Sequence, residues 1–151
     1  MPSQQKNTSA KIFSAIEEEA IKLAIAHAEI LTSGEISLFM DDHCKGDPVK
    51  KATEIFLKLG MDKTKLRNGV LFYLSHQDHK FAIIGDKGIH EKVGDEFWFE
   101  TKELMLKFFK NQQVVEGLVA GIKKAGEALA TLFPAHVEDV NEITNDINYR
   151  S

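Results

Sequence analysis

The sequence predicts an α/β fold, a three-layer α/β/α sandwich around a small mixed β-sheet, and three observations carry that prediction. Two runs rich in β-branched and aromatic residues, Val70 to Leu74 and Phe81 to Ile84, flank the short polar segment Ser75 to His79, the signature of a β-hairpin. Both runs are apolar at consecutive positions, so both faces of the hairpin need cover, and helices are the expected cover. A third strand-like run, Glu35 to Met40, is separated from the hairpin by a helical segment. A strand–helix–strand crossover is right-handed in nearly all proteins, which makes the first two strands parallel. The short hairpin makes the third strand antiparallel to the second.

In chain order, Met1 to Asn7 is a polar lead-in, and residues 1–9 are expected to be mobile. Thr8 or Ser9 could cap a first helix in which the pattern Ile12, Ile16, Ala20, Leu23, Ala24, His27 and Leu31 recurs at three- and four-residue spacing, His27 lying close to the apolar stripe, with Glu17 to Glu19 suited to its N-terminal dipole. His27 is expected to be a partly buried structural histidine. Thr32-Ser33-Gly34 ends that helix, and the first strand follows with Ile36, Leu38 and Met40 on one face and Glu35, Ser37 and Phe39 on the other. Asp47-Pro48 starts a second helix, since aspartate caps and proline accepts the first helical position. Val49, Ala52, Ile55, Phe56 and Leu59 are its inward set, and Gly60 stops it. Met61 to Arg67 reads as a polar loop into the hairpin. After it, Gly85-Asp86-Lys87-Gly88 puts a charged pair between two glycines, where a sharp turn and close approach to a ligand are expected. Ile89 to Val93 is a further turn of helix. Gly94-Asp95 is the expected cap of a longer helix carrying Phe97, Trp98, Thr101, Leu104, Met105, Phe108 and Phe109, which Asn111 to Gln113 break. The last helix, Val114 to Leu132, holds Gly117, Gly121 and Gly126, best explained by close packing against another element. Residues 135–151 read as a mostly mobile tail rich in Asp, Asn and Glu, with Val140 and Ile143 as docking residues.

The 151 residues suit one domain, with 43% hydrophobic and 28% charged residues and a net charge of −4. There is no basic footprint for nucleic acid. Cys44 is the single cysteine, which excludes an intramolecular disulfide and a thiolate zinc cluster. No signal peptide or bilayer-length apolar run is visible, so a cytoplasmic location is the default, and a monomer is favoured. P-loop, dinucleotide fingerprint, nucleophile elbow and metalloprotease motifs are absent. Cys44 beside His43 is not a productive nucleophile–base arrangement.

The strand directions sort the polar residues onto two edges of the sheet. One edge gathers Ser33, Gly34, Glu35, Arg67, Asn68, Gly85, Asp86, Lys87 and Gly88, with Asp95 close behind. Glu35, Asp86 and Asp95 are hard oxygen donors and Asn68 adds a neutral one, a set suited to Ca²⁺ or Mg²⁺ and less to Zn²⁺. Arg67 or Lys87 could hold a phosphate beside such a metal, as weak catalytic candidates. The competing reading is that Arg67 pairs with Asp86 or Glu35 to stabilise the loops and Asp95 caps a helix. The opposite edge gathers Asp41, Asp42, His43, His76, Asp78 and His79, an alternative metal edge of Asp42, His43, His76 and Asp78 with more affinity for zinc. The simpler account there is Asp78 as a turn former with solvated histidines. His90 is a weaker candidate base.

Thr32-Ser33-Gly34-Glu35-Ile36, Leu59-Gly60-Met61, Arg67-Asn68-Gly69-Val70-Leu71, Phe81 to Ile89 and Val93-Gly94-Asp95-Glu96-Phe97-Trp98, in this order, resemble the TPM domain family over residues 10–134. Asp139-Val140-Asn141-Glu142 is similar to a bacterial subgroup, and the chain looks like a soluble, stand-alone member. The resemblance implies the α/β/α sandwich, divalent-cation binding and, in some members, acid phosphatase activity on a phosphorylated small molecule. Plant relatives serve photosystem repair and others are membrane-tethered, which implies the alternative of a non-catalytic assembly module for a larger complex. The family residues that carry over are Asn68-Gly69, Asp78, Gly85, Gly88 and Asp95. Asp86-Lys87 departs from the uncharged residue that many relatives carry between the glycines, and the signal peptide and membrane segment common in the family are not seen here.

Overall fold

The computed structural model describes residues 12–135 and 147–149, with Asp95 described by its backbone alone. The expected mobile lead-in, the caps Thr8 and Ser9, and Val140 and Ile143 lie outside the described residues. The elements are α1 (Ala15–Leu31), β1 (Glu35–Asp41), α2 (Pro48–Lys58), a 3₁₀ turn (Met61–Lys63), β2 (Gly69–Ser75), β3 (Lys80–Gly85), α3 (Lys87–Val93), a second 3₁₀ turn (Asp95–Trp98), α4 (Phe99–Lys110), α5 (Val114–Leu132) and β4 (Asn148–Tyr149).

The sheet order is β3-β2-β1-β4. β1 and β2 are parallel, with Glu35 opposite Gly69, and β2 and β3 are antiparallel, with Val70 opposite Gly85, as the crossover and hairpin arguments require. β4 is an addition to the expected tail. It pairs in parallel with Phe39 and Met40, Ile147 enters the core, and the Tyr149 hydroxyl donates to the Glu18 carboxylate of α1.

Two cores sit on the two faces of the sheet. Ile36, Leu38, Met40, Val70, Phe72 and Leu74 face α1, α4 and α5, whose Ile21, Ile25, Met105, Leu118, Ile122 and Leu129 complete the larger core. Phe39, Leu71, Tyr73 and Ala82 face Ala52, Ile55 and Phe56 of α2, with Met61 and Cys44. Burial of both faces explains why the strands are apolar at consecutive positions. Met61, expected in a polar loop, is fully buried because its 3₁₀ turn folds under the second core.

The first helix is in the expected place with a different face inward. It is capped by Ser14 through a capping box with Glu17, and it buries Ile21, Ile25 and Ala28. Ile16, Leu23, His27 and Leu31, expected to be inward or partly buried, are exposed. The helix carries two apolar stripes at three- and four-residue spacing, and periodicity cannot choose between them. Val49 of α2 is likewise exposed, whereas Asp47 caps and Pro48 begins the helix as expected. Gly60 has φ +71, the left-handed conformation that terminates a helix.

On α5, a Cβ on Gly126 would lie 2.5 Å from the Ala28 Cβ of α1, and one on Gly121 would lie 2.4 Å from the Met105 sulfur of α4. Those glycines therefore set the distance between the helices, as their close-packing reading expected.

Candidate functional site

At the edge where β1 and β2 begin, the backbone is pinned before any side chain acts. Thr32 Oγ1 donates to the Phe133 carbonyl and accepts from the Gly34 amide at 3.0 Å, which ties the start of β1 to the end of α5. The Thr64 hydroxyl accepts from the Asn68 amide at 3.2 Å, the Asp86 amide donates to Gly69 O at 3.0 Å, and the Gly88 amide donates to Arg67 O at 2.8 Å.

This anchoring explains Gly85 and Gly88, and it corrects the expected sharp turn. Neither has a positive φ; the described glycines that do are Gly46, Gly60 and Gly94. Asp86 is the N-cap of α3, its carboxylate accepting from the Lys87 amide at 2.8 Å, so Lys87 and Gly88 form the first helical turn. A Cβ on Gly88 would stand 2.1 Å from the Leu66 carbonyl oxygen, and one on Gly85 would stand 2.9 Å from the Trp98 indole nitrogen. The glycines admit neighbouring backbone and an indole ring.

The carboxylate of Asp86, 6% exposed, is held by Arg67 at 2.7 Å from Nε and 3.0 Å from Nη2, a fork-on-fork pair. Asn68, 1% exposed, donates through its side-chain amide to the Ser33 hydroxyl at 3.3 Å. Asp95 opens a 3₁₀ turn and stands four residues before α4, whose N-cap is Trp98, so it does not cap the longer helix as expected.

The dominant titrating group at this edge is one the sequence reading missed. Glu29, near the end of α1, reaches across to β1, accepts from the Ile36 amide at 2.7 Å and hydrogen-bonds the buried carboxyl of Glu35. Burial pushes Glu29 up to about 8, with the charge and hydrogen bond of Glu35 raising it further and the Ile36 amide opposing. At neutral pH the two carboxyls therefore share one proton. Two residues along β1 on the same face, Ser37 Oγ is fully buried and meets no hydrogen-bond partner among the described residues; the same holds for Asp62 Oδ1 in the 3₁₀ turn before Arg67. Glu29 was concealed because a lone glutamate near a helix C-terminus looks solvent-facing. A carboxylate against the helix dipole was the available signal.

The opposite edge resolves into separate pairs. His76 Nε2 lies 2.9 Å from Asp42 Oδ1, and His43 Nδ1 lies 3.2 Å from Asp78 Oδ1. The Tyr73 hydroxyl donates to the buried Asp41 carboxylate at 2.9 Å. Asp78 also accepts from the Cys44 amide, which with His43 holds its carboxyl below the usual range. Asp78 thus ties the hairpin turn to the loop after β1. His79 completes that turn with φ +57. Among the described residues no three His, Cys, Asp or Glu side chains converge in a group that could hold a metal.

The model of the TPM domain matches residues 6–128 of this chain. The chain belongs to the TPM domain family. Among solved structures, this TPM domain is similar to the BA42 protein from the psychrophilic bacterium Bizionia argentinensis, with 43% identity over 92% of this chain and 96% of that one and a TM-score of 0.86. It shares its fold with the N-terminal domain of a protein from P. gingivalis at 16% identity, covering 90% of this chain and 93% of that one with a TM-score of 0.69. Among curated proteins none matches. In this TPM domain the sequence signatures around Glu35, Asn68 and Asp86 converge on one sheet edge, and Asp78 lies at the other, in the turn between β2 and β3. No helix among the described residues is long and apolar enough to cross a membrane.

Proposed function

We propose that this TPM domain binds a divalent cation, Ca²⁺ or Mg²⁺, at the edge where β1 and β2 begin, with Glu29 and Glu35 as its acidic ligands. The observation that carries the reading is the Glu29–Glu35 pair, two carboxyls around one proton. Such a pair is a place where a cation can take over from the proton, because binding needs both carboxylates ionised. The Ser37 hydroxyl, buried and unpartnered on the same strand face, and the neutral oxygens of Asn68 and Ser33 fit a hard-cation shell better than zinc. Asp86, the other expected ligand, is committed to Arg67 and to the α3 cap. Asp95 stays a candidate outer ligand by its place in the chain. Two acidic ligands imply weak binding, with dissociation constants on the order of 10⁻⁴–10⁻³ M.

Phosphatase-type hydrolysis would ask Arg67 to meet a phosphoryl oxygen, and its Nε and Nη2 already meet Asp86. Lys87 is exposed on the first turn of α3. Binding, rather than hydrolysis, is therefore the function proposed.

Amide NMR titration with Ca²⁺, Mg²⁺ and Zn²⁺ at about pH 8.5, above the Glu29 titration, tests the reading. Saturable shifts around Glu29, Ile36, Ser37 and Asn68 that vanish in Glu29→Gln and Glu35→Gln are expected. Shifts confined to Asp42, His43, His76 and Asp78, or none at millimolar metal, would sink it. The second reading, a non-catalytic assembly module, is favoured by the apolar stripe that α1 leaves in solvent.

A further inference from the structure

The outward face of α1 is unusual for a helix whose inward face is already packed. Ile16 is 84% exposed, Leu23 60% and Ile30 71%, and Ala20 and His27 between them are exposed as well. These five positions are spaced by four, three, four and three residues, the d-a-d-a-d sequence of a heptad seam. At about 100° per residue they lie within an arc of about 80°, on the side opposite Ile21, Ile25 and Ala28.

We propose that this face is a self-association surface on which α1 packs antiparallel against α1 of a second copy of the chain. The stripe is self-complementary about Leu23. A two-fold axis there sets Ile16 of one copy against Ile30 of the other, since both lie seven residues from Leu23. It also sets Glu19 against His27, since both lie four residues from it. The small Ala20 lets the two helices approach closely in the seam.

Charge selects a second copy in this orientation. The first turn carries Glu17 and Glu18, Glu19 follows, and the last turn has no basic residue. A parallel pair would stack the two acidic ends on each other. The antiparallel pair separates them by the length of a 17-residue helix, about 25 Å, and opposes the two helix dipoles. His27 is then the polar seam residue that fixes register, as polar a positions do in coiled coils. Two faces of this length bury on the order of 1,000 Å² in total, the lower bound for a specific interface, so the dimer is a weak one.

Sedimentation equilibrium of the full chain up to about 0.5 mM tests this, concentrations suited to an interface at the small end of the range. A monomer–dimer equilibrium is expected. Leu23→Glu should weaken it by at least about tenfold, as loss of a central anchor does, while circular dichroism and thermal midpoint stay as in the wild type because Leu23 is not in the core. Glu19→Lys should weaken association, and adding His27→Glu should restore it. A wild-type chain that stays monomeric at the top concentration overturns the proposal, including the case in which the same residues bind lipid vesicles. A dimer indifferent to Leu23→Glu moves the interface elsewhere, and failure of the charge-reversed pair to recover overturns the antiparallel register.

Discussion

The Glu29 carboxylate lies 2.7 Å from the Ile36 amide, so a residue of α1 satisfies a strand edge that β4 leaves unpaired, β4 pairing only with Phe39 and Met40. A backbone donor on a strand edge is thereby spent on a side chain whose own proton is shared with Glu35. Structure and ionisation are coupled at this point.

Stability should fall as pH rises. Glu29 titrates at about 8 in the folded chain against 4.5 as the ordinary value, so the native state holds its proton more tightly. Its contribution is complete below pH 4.5 and is lost as pH climbs to about 8. Each pKa unit corresponds to about 1.4 kcal/mol, and screening at this partly exposed group reduces the total to on the order of 2 kcal/mol. Glu29→Gln, which keeps a donor toward Glu35 and an acceptor for Ile36, should flatten that slope in denaturant melts at pH 5, 7 and 9.

Cation affinity should show the opposite sign. Below pH 8 a bound cation must displace the shared proton, so affinity for Ca²⁺ should drop by up to about tenfold per pH unit. Calorimetric titrations at pH 6 and 8.5 measure it directly. Equal affinity at both would remove Glu29 and Glu35 from the site.

Asp86→Ala should destabilise the fold, by about 1 kcal/mol for the lost α3 cap alone, and further because Arg67 loses its partner. Hydrogen exchange should quicken first in residues 87–93. An effect spread evenly over the sheet would contradict a capping role.

Glycine replacements should rank by what stands in the way. Gly88→Ala meets backbone oxygens of Leu66 and Arg67 that cannot rotate aside, and should cost upwards of about 3 kcal/mol. Gly126→Ala gains about 1 kcal/mol of helix propensity but pushes on Ala28, for a net loss of about 1 kcal/mol. Gly121→Ala meets the flexible Met105 side chain and should cost least. Thermal melts order the three.

Tyr73→Phe should cost about 1–3 kcal/mol, because it strips the 2.9 Å hydrogen bond from a buried Asp41. Burial and the Cys44 and Asp41 contacts push the Tyr73 hydroxyl up, so its contribution is intact below the ordinary tyrosine value of 10.0 and is lost above it. Absorbance titration should show this phenol ionising only as the chain unfolds in alkali.

The sequence by itself determined the strand directions, the hairpin, Asp47-Pro48 at the start of α2, the bounds of α5 and the close-packing role of its glycines. Each of these rests on local chemistry: consecutive apolar runs, turn residues, caps and the right-handed crossover. It also determined that Arg67, Asn68 and Asp86 share an edge with Glu35, because parallel β1 and β2 and antiparallel β3 leave no other arrangement. Only the tertiary structure decided which stripe of α1 packs inward, since Ile16, Leu23 and Ile30 have the same spacing as a core face and the choice depends on where α5 lies. It alone brought Glu29 to Glu35 across six residues and a change of element, raised its pKa by burial, and turned Asp86 from a free ligand into the paired cap of α3. Periodicity records that a face is apolar; what covers that face, and which charges meet beneath it, are relations between elements that no single segment encodes.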